Sequence, residues 1–227
     1  MKKVLLIFTF IYITLLSYGQ KGRYSIKVCP FTLIDDISFP TVQGGLEYLV
    51  SNRFSMYGEL GVKYRKGLSE NWVDSNYINS GGYKAKIEAR YSLNRGKSLA
   101  EYGRFYIGAN AFLTHETYNT SIWFYPQKDS SFSVKDIFGV NKTIYGINAV
   151  LGWQIPVTHG FNIDVYGGLG VRFRYVTTVN KEFNYDTDSL SQSFEFGVRS
   201  IKDYVDSRAG SSCVPNFTMG CRLSFRL

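Results

Sequence analysis

From Tyr24 to the last residue the chain alternates apolar and polar positions with period two, and after residue 20 no useful length shows the spacing of an amphipathic helix. The sharpest segment sets Tyr83, Ala85, Ile87, Ala89, Tyr91 and Leu93 against Lys84, Lys86, Glu88, Arg90 and Ser92. The final segment sets Phe217, Met219, Cys221, Leu223, Phe225 and Leu227 against Thr218, Gly220, Arg222, Ser224 and Arg226. The same zig-zag recurs over residues 24–31, 42–50, 54–64, 105–114, 145–155 and 161–175. The pattern predicts an all-β, antiparallel protein of about eight strands, each close to the nine to eleven residues that a tilted membrane strand requires.

The connections sort by length. Segments 51–53, 94–103 and 156–160 are short, whereas 34–40, 66–82, 117–141 and 177–213 are longer, and the two classes fall at opposite ends of the strands. Alternation does not say which flank faces outward, so magnitudes must decide. The polar flank carries Glu47, Glu59, Glu88 and Asp164 with Lys63, Lys84, Lys86, Arg90, Arg172, Arg174, Arg222 and Arg226. Each basic residue near the middle of a bilayer would cost roughly 2–4 kcal/mol. In water, the apolar flank would form a patch far beyond what a soluble monomer exposes. Two arrangements survive: apolar flank to lipid with the charges in the lumen, or apolar flank inward as in a soluble lipocalin-like carrier. Aromatic residues at the ends of the apolar flanks, among them Tyr48, Phe54, Tyr91, Trp153, Phe161 and Phe225, favour the first, as an interfacial girdle would.

The final strand adds a resemblance. Its spacing Thr218-x-Gly220-x-x-Leu223-x-Phe225 resembles the carboxy-terminal signal by which outer-membrane barrels are recognised for insertion, with Gly220, Leu223 and Phe225 as its marks. Together with the alternation and the loop asymmetry, this makes the chain similar to the small OmpA/OmpX-type outer-membrane β-barrels over nearly all of residues 20–227. The resemblance implies an antiparallel transmembrane β-barrel in the outer membrane, with short periplasmic turns and long extracellular loops. It also implies outer-membrane lipid, lipopolysaccharide and the barrel-assembly machinery as partners. The third and fourth loops are longer than that family's, and no peptidoglycan-binding domain is expected after the last strand.

Composition and targeting agree with export. Lys2-Lys3, the apolar run Val4 to Leu16 and the exit Ser17-Tyr18-Gly19 read as a cleaved signal peptide over 1–19, leaving one domain over 20–227. The apolar run is too short for a spanning helix. Aromatics reach 17%, with 18 Tyr, 17 Phe and 22 Gly beside 5 Pro, a balance that suits β architecture. The net charge is +8, two units of which belong to Lys2 and Lys3. In an exported protein this basic balance points to anionic lipid head groups rather than nucleic acid.

Candidate chemistry is sparse. The bore of an eight-stranded barrel is narrow enough for side chains to fill. Its charges, Glu47, Glu59, Lys63, Lys84, Lys86, Glu88, Arg90, Asp164, Arg172, Arg174 and Arg222, are expected to pair into a plug, with a narrow pore as the alternative. No catalytic residue, cofactor or clustered metal-ligand pattern is expected. A lipid-modifying enzyme would centre on His115, which has Thr114, Glu116 and Thr117 near it in sequence but no His-x-Ser pair; His159 reads as a turn residue. The 3 cysteines leave one unpaired at least, and Cys29 and Cys213 fall toward the same end of neighbouring strands. In the third outer loop, Ser121 to Tyr125 and Ser131 to Val134 read as a hairpin continuing above the membrane. Trp123, Phe124 and Tyr125 there, and Phe194 and Phe196 in the fourth loop, are the candidates for contact with a surface protein or glycan. Asp188-Ser189-Leu190 resembles an O-glycosylation acceptor.

Overall fold

The computed structural model describes residues 23–30, 32, 41–63, 78–94, 103–127, 132–158, 160–184, 186–190 and 208–227. The expected signal segment, His159, Phe194, Phe196 and much of the first, second and fourth outer connections lie outside the described residues. Nine strands follow in order: β1 (Tyr24–Val28), β2 (Thr41–Leu49), β3 (Phe54–Lys63), β4 (Ile78–Ser92), β5 (Arg104–Tyr125), β6 (Val134–Thr158), β7 (Phe161–Val179), β8 (Ser189–Leu190) and β9 (Gly210–Arg226). Among the described residues there is no α-helix.

Eight of the strands form a closed ring of antiparallel neighbours. The order runs β4-β3-β2-β1-β9-β7-β6-β5, and β5 pairs again with β4. Strand β8 stands outside this ring, attached to the far end of β5 through Phe124 and Tyr125. Closure leaves the ring with a stagger. The pairs from Lys27 lead through Gly45, Glu59, Lys86, Phe112, Gly146 and Arg172 to Val214, whereas Lys27 itself faces Ser224 across the closing seam. That offset of ten residues along β9 tilts the strands by about 40° from the ring axis. The closing seam is short, with four pairs between β1 and β9. Pro30, which lacks an N–H, follows directly after β1 and Cys29.

The turns at one end are tight and locally determined. Ser51 Oγ accepts hydrogen bonds from the amides of Arg53 and Phe54 at 3.3 and 3.1 Å, folding β2 back onto β3. Asn94 bridges the start of β5, its carboxamide accepting from Phe105 N at 3.0 Å. Gly103 and Gly160 take positive φ values of 76° and 90° at the other two turns of this end, which an L side chain would resist.

The opposite end differs from the sequence expectation. Residues 117–125 and 134–141 are not loop: the β5–β6 ladder continues without a bulge to Phe124 and Val134. The expected hairpin is present, but it is a direct extension of two wall strands. Strand β7 accompanies it as far as Val179, paired with Gly139. Three strands thus project from the ring as a sheet, called the head below.

Candidate functional site

Inside the ring, at the end with the tight turns, seven charged side chains that are nearly or wholly buried meet in one belt. Lys27 Nζ lies 2.8 Å from Glu47 and 2.6 Å from Asp164. Arg90 reaches Glu88 at 2.7 Å, Asp164 at 2.9 Å and Glu47 at 3.4 Å. Arg222 reaches Glu88 at 3.1 Å, Glu59 at 3.3 Å and Asp164 at 3.5 Å. Lys86 completes the set on Glu59 at 3.1 Å. Four carboxylates thus face four cations, and the belt is formally neutral. Neutrality matters because an unpaired charge in so dry a space would cost several kcal/mol, roughly.

Three tyrosines complete the belt. The Tyr106 hydroxyl donates to Asp164 at 2.8 Å and the Tyr57 hydroxyl to Glu59 at 2.7 Å. The Arg90 guanidinium lies 4.5 Å from the Tyr106 ring and 4.7 Å from Tyr57, and that of Arg222 lies 3.7 Å from Tyr166 and 4.5 Å from Tyr57. Arg90 Nη2 and Arg222 Nη1 form no hydrogen bond; the aromatic faces add attraction to both guanidinium groups, and Arg222 Nη1 also has the ion pair with Asp164. Room for the rings comes from neighbouring glycines. A Cβ on Gly152 would collide with the hydroxyl end of the Tyr106 ring, and one on Gly220 would sit 2.7 Å from the Tyr166 oxygen.

The belt gathers Glu47, Glu59, Lys86, Glu88, Arg90, Asp164 and Arg222 from the expected charge network, and it excludes the rest. Lys63 instead pairs with Glu116 at 2.9 Å, well away from the belt toward the head. Lys84, Arg172 and Arg174 share the inward phase but stand on that upper level, where Arg172 is exposed. The tilt explains the separation, because residues on one flank of neighbouring strands climb along the axis as the ring is followed. Between the two levels Asn216 donates to Asn148 at 2.8 Å and Asn148 to Asn110 at 2.9 Å. Sequence reasoning left out Lys27, Tyr57, Tyr106, Tyr166, Gln154 and Glu116. Gln154 donates to Glu47 at 2.9 Å.

The outward flank of the ring is apolar and bare. Leu60 is 71% exposed, Ile87 56% and Leu169 67%. At the tight-turn end every ring strand places one outward aromatic at a similar level, in cross-strand pairs: Tyr24 with Tyr48, Phe54 with Tyr91, Phe105 with Trp153, and Phe161 with Phe225. The Phe105 and Trp153 rings stack at 4.8 Å. A second, partial level holds Tyr83 against His115 and Tyr145 against Phe173, each pair at 5.4 Å. The strand tilt separates the two levels by about 20–30 Å. Of the terminal motif, Phe225 packs on Phe161 at 5.1 Å, Leu223 pairs across to Ile163 and Val28, and Gly220 faces Tyr166.

Above the second aromatic level the two flanks exchange character. On β5 the outward series Phe105, Ile107, Ala109, Ala111, Leu113 gives way to Thr117, Asn119 and Ser121. The inward series changes from Asn110 and Glu116 to Tyr118, and Tyr118, Phe138, Val140 and Val176 form a buried cluster packed on Ile122. Phe124 joins this inner face against Phe183, ring centroids 5.3 Å apart, so it belongs to the head's core and not to an outer contact surface. Trp123 points the other way, exposed, with Lys135 over its ring, while Tyr125 is half-buried and pairs with Ser189. The exposed Ser189 sits at this far end of the head.

Two aspartates hold the segment after β7 across the head. Asp136 accepts from the amides of Glu182 and Phe183, both at 2.9 Å. Asp188 accepts from Asn184 N at 2.9 Å and Gln127 N at 3.2 Å, and the Asn184 amide above all keeps its carboxyl below the usual range. Lys181 covers Phe138 and Phe183, and its partial burial lowers its pKa against the opposing pull of Asp136.

His115 lies on the outer wall with Nδ1 3.0 Å from the Thr143 hydroxyl. Glu116, its sequence neighbour, is turned inward onto Lys63 and does not orient it. The three cysteines are free thiols, so Cys29 and Cys213 are not joined. Among the described residues no group of His, Cys, Asp and Glu has the makings of a metal site. Comparisons with protein-family models, curated proteins and solved structures return no match to this chain.

Proposed function

We propose that this chain is an integral β-barrel of a Gram-negative outer membrane, without enzymatic activity, with its bore closed by the ionic belt and its head displayed for contact at the cell surface. The observation that carries the reading is the exchange of flanks along β5, β6 and β7. The head buries Tyr118, Phe138, Val140 and Val176 on its inner face and sets Thr117, Asn119, Ser121, Asn141 and Thr177 on its outer one, beside the exposed Trp123, Ile137 and Val179. The ring does the reverse with the same continuous strands. A single aqueous solvent gives no reason for the change, whereas a bilayer ending near Leu113, Tyr145 and Phe173 does. The aromatic levels at both margins fit the two interfaces.

The rival readings fit less well. A soluble lipocalin-like carrier would need an apolar interior, and this one is ionic. A pore would need a bore free of the belt. A lipid-modifying enzyme centred on His115 would need a carboxylate to orient the imidazole, and Glu116 faces elsewhere.

The test uses spin labels on the full chain in lipid vesicles. Labels at Leu60, Ile87 and Val165 should be reached by oxygen and shielded from a water-soluble nickel relaxant. Labels at Asn119, Asn141 and Thr177 should show the opposite. Free access of the nickel reagent to all six would end the membrane reading.

A further inference from the structure

Asp188-Ser189-Leu190 lies at the far end of the head, where the segment after β7 returns to the edge of β5. Other Asp-Ser or Asp-Thr steps begin at Asp74, Asp129, Asp186 and Asp206, but polar residues follow them: Asn76, Ser131, Asp188 and Arg208. Only the step at Asp188 is followed by an apolar residue, Leu190. The structure adds what three letters cannot. Ser189 is exposed, and its hydroxyl has no hydrogen-bond partner among the described residues. The neighbouring Thr187 hydroxyl, by contrast, donates to Asp188 at 3.3 Å.

The surrounding backbone fixes how Ser189 is presented. The Asn184 carbonyl accepts from Asp188 N at 3.0 Å and Thr187 N at 3.4 Å, which closes a bend. The Asp188 carboxylate accepts from Asn184 N and Gln127 N, which fastens that bend beside the end of β5. Directly beyond it Ser189 and Leu190 are extended, paired with Tyr125 and Phe124. Among the described residues β8 has β5 as its single neighbour, so its other edge is open. An extended acceptor with one open edge is what an enzyme cleft can hold through main-chain hydrogen bonds.

We propose that Ser189 is a glycosylation site, carrying an O-linked sugar chain at the far end of the head. The inference deepens the surface-display reading above and rests on the export that reading requires. In the transfer, Ser189 Oγ bonds to the anomeric carbon of a sugar, and the bond from that carbon to the phosphate of a polyprenyl diphosphate carrier breaks. The diphosphate leaves with the electron pair, and the hydroxyl proton passes to a base of the transferase. Ser189 gives up no hydrogen bond in this step, whereas Thr187 would lose its bond to Asp188. The sugar chain would then extend into water from an exposed position.

Intact-mass spectrometry of the full chain, taken from membranes of the organism that makes it, tests the site. The parent should exceed the mass of its processed polypeptide by whole sugar residues, and electron-transfer fragmentation should place them on Ser189. Ser189→Ala should lose the entire excess, Ser189→Thr should keep it, and Thr187→Ala should leave it unchanged. These are changes of exposed side chains, so the fold should tolerate all three. No excess in the parent, an excess of phosphate or acyl groups instead, or an excess that survives in Ser189→Ala would overturn the site. Carbonate extraction of the same membranes separates the two levels of the argument. A bare chain that resists extraction loses this site alone, whereas a glycosylated chain that washes off keeps the site and loses the bilayer reading.

Discussion

Arg222 touches three carboxylates and two tyrosine faces at once, so its removal strands charge instead of deleting one bond. Arg222→Ala should destabilise the ring by about 3–5 kcal/mol, because Glu59 and Glu88 would each lose one of their two cations and four buried carboxylates would face three. Arg172→Ala, on the same inward phase but exposed, should cost less than about 0.5 kcal/mol. Urea unfolding in lipid vesicles followed by tryptophan fluorescence distinguishes the two; equal midpoints would mean the belt is not structural. A subtler test is Gly152→Ala. The added methyl collides with the Tyr106 ring, which Asp164 holds in place, so a loss of about 1–3 kcal/mol is expected. Gly58→Ala, where nothing lies within 4 Å, is the control. The acids and arginines of the belt were legible from parity alone, since two-residue spacing puts them on one flank. Tyr57, Tyr106 and Tyr166 sit on that same flank, yet an isolated tyrosine announces neither charge nor partner. The signal was in pairs that only register brings together, such as Tyr106 with Gly152 and Tyr166 with Gly220.

The long hairpin shows why strand ends are harder to read than strand centres. A period-two reading ends the fifth strand near Thr114, because from Tyr118 onward the apolar phase moves from odd to even positions. In a soluble sheet such a flip would mark a bulge or a turn. Here the backbone continues without a bulge, and on the proposed bilayer reading it is the surroundings that change. The head that results should behave as a small folded unit fastened by Asp136. Asp136→Ala removes the acceptor of two amide hydrogen bonds, worth roughly 1.5–3 kcal/mol together, and should release residues 181–190 from Phe124. Limited proteolysis would then cut this segment while the ring stays intact; unchanged resistance would mean the segment is held by other contacts. Asp188 gives the head a pH dependence of defined sign. Its folded pKa is depressed, first by the Asn184 amide and then by Gln127, so its contribution is present above the ordinary aspartate value and lost as pH falls through the folded one. Exchange protection of the Gln127 and Asn184 amides should hold from neutrality to about pH 4 and decline below it. In Asp188→Asn that decline should be absent.

At the scale of the molecule, closure was legible and stagger was not. Alternation, loop sorting and the terminal strand pointed to a ring, but the ten-residue offset depends on every pairing around it. That offset sets which inward residues share a level. It lifts Lys63, Lys84, Arg172 and Arg174 away from the belt and brings Lys27 into it, against a sequence reading that grouped charges by flank alone. The same geometry fixes where an ion would be stopped. An ion entering from the head end would pass the upper basic level and the asparagines, then meet four carboxylates and four cations packed against three aromatic rings. It would have to displace one partner of a buried pair, and at effective dielectric values near 20 two charges about 3 Å apart attract by about 5–6 kcal/mol. The parent chain in a planar bilayer should therefore show no large, steady conductance. Replacing both guanidinium groups, in Arg90→Gln/Arg222→Gln, empties the centre and leaves four carboxylates facing two lysines, a net charge of about −2 if the carboxylates stay ionised. A variant that still migrates as a heat-modifiable species should then pass current selective for cations over chloride. Steady conductance in the parent, or anion selectivity in the variant, would show that the belt is not the barrier.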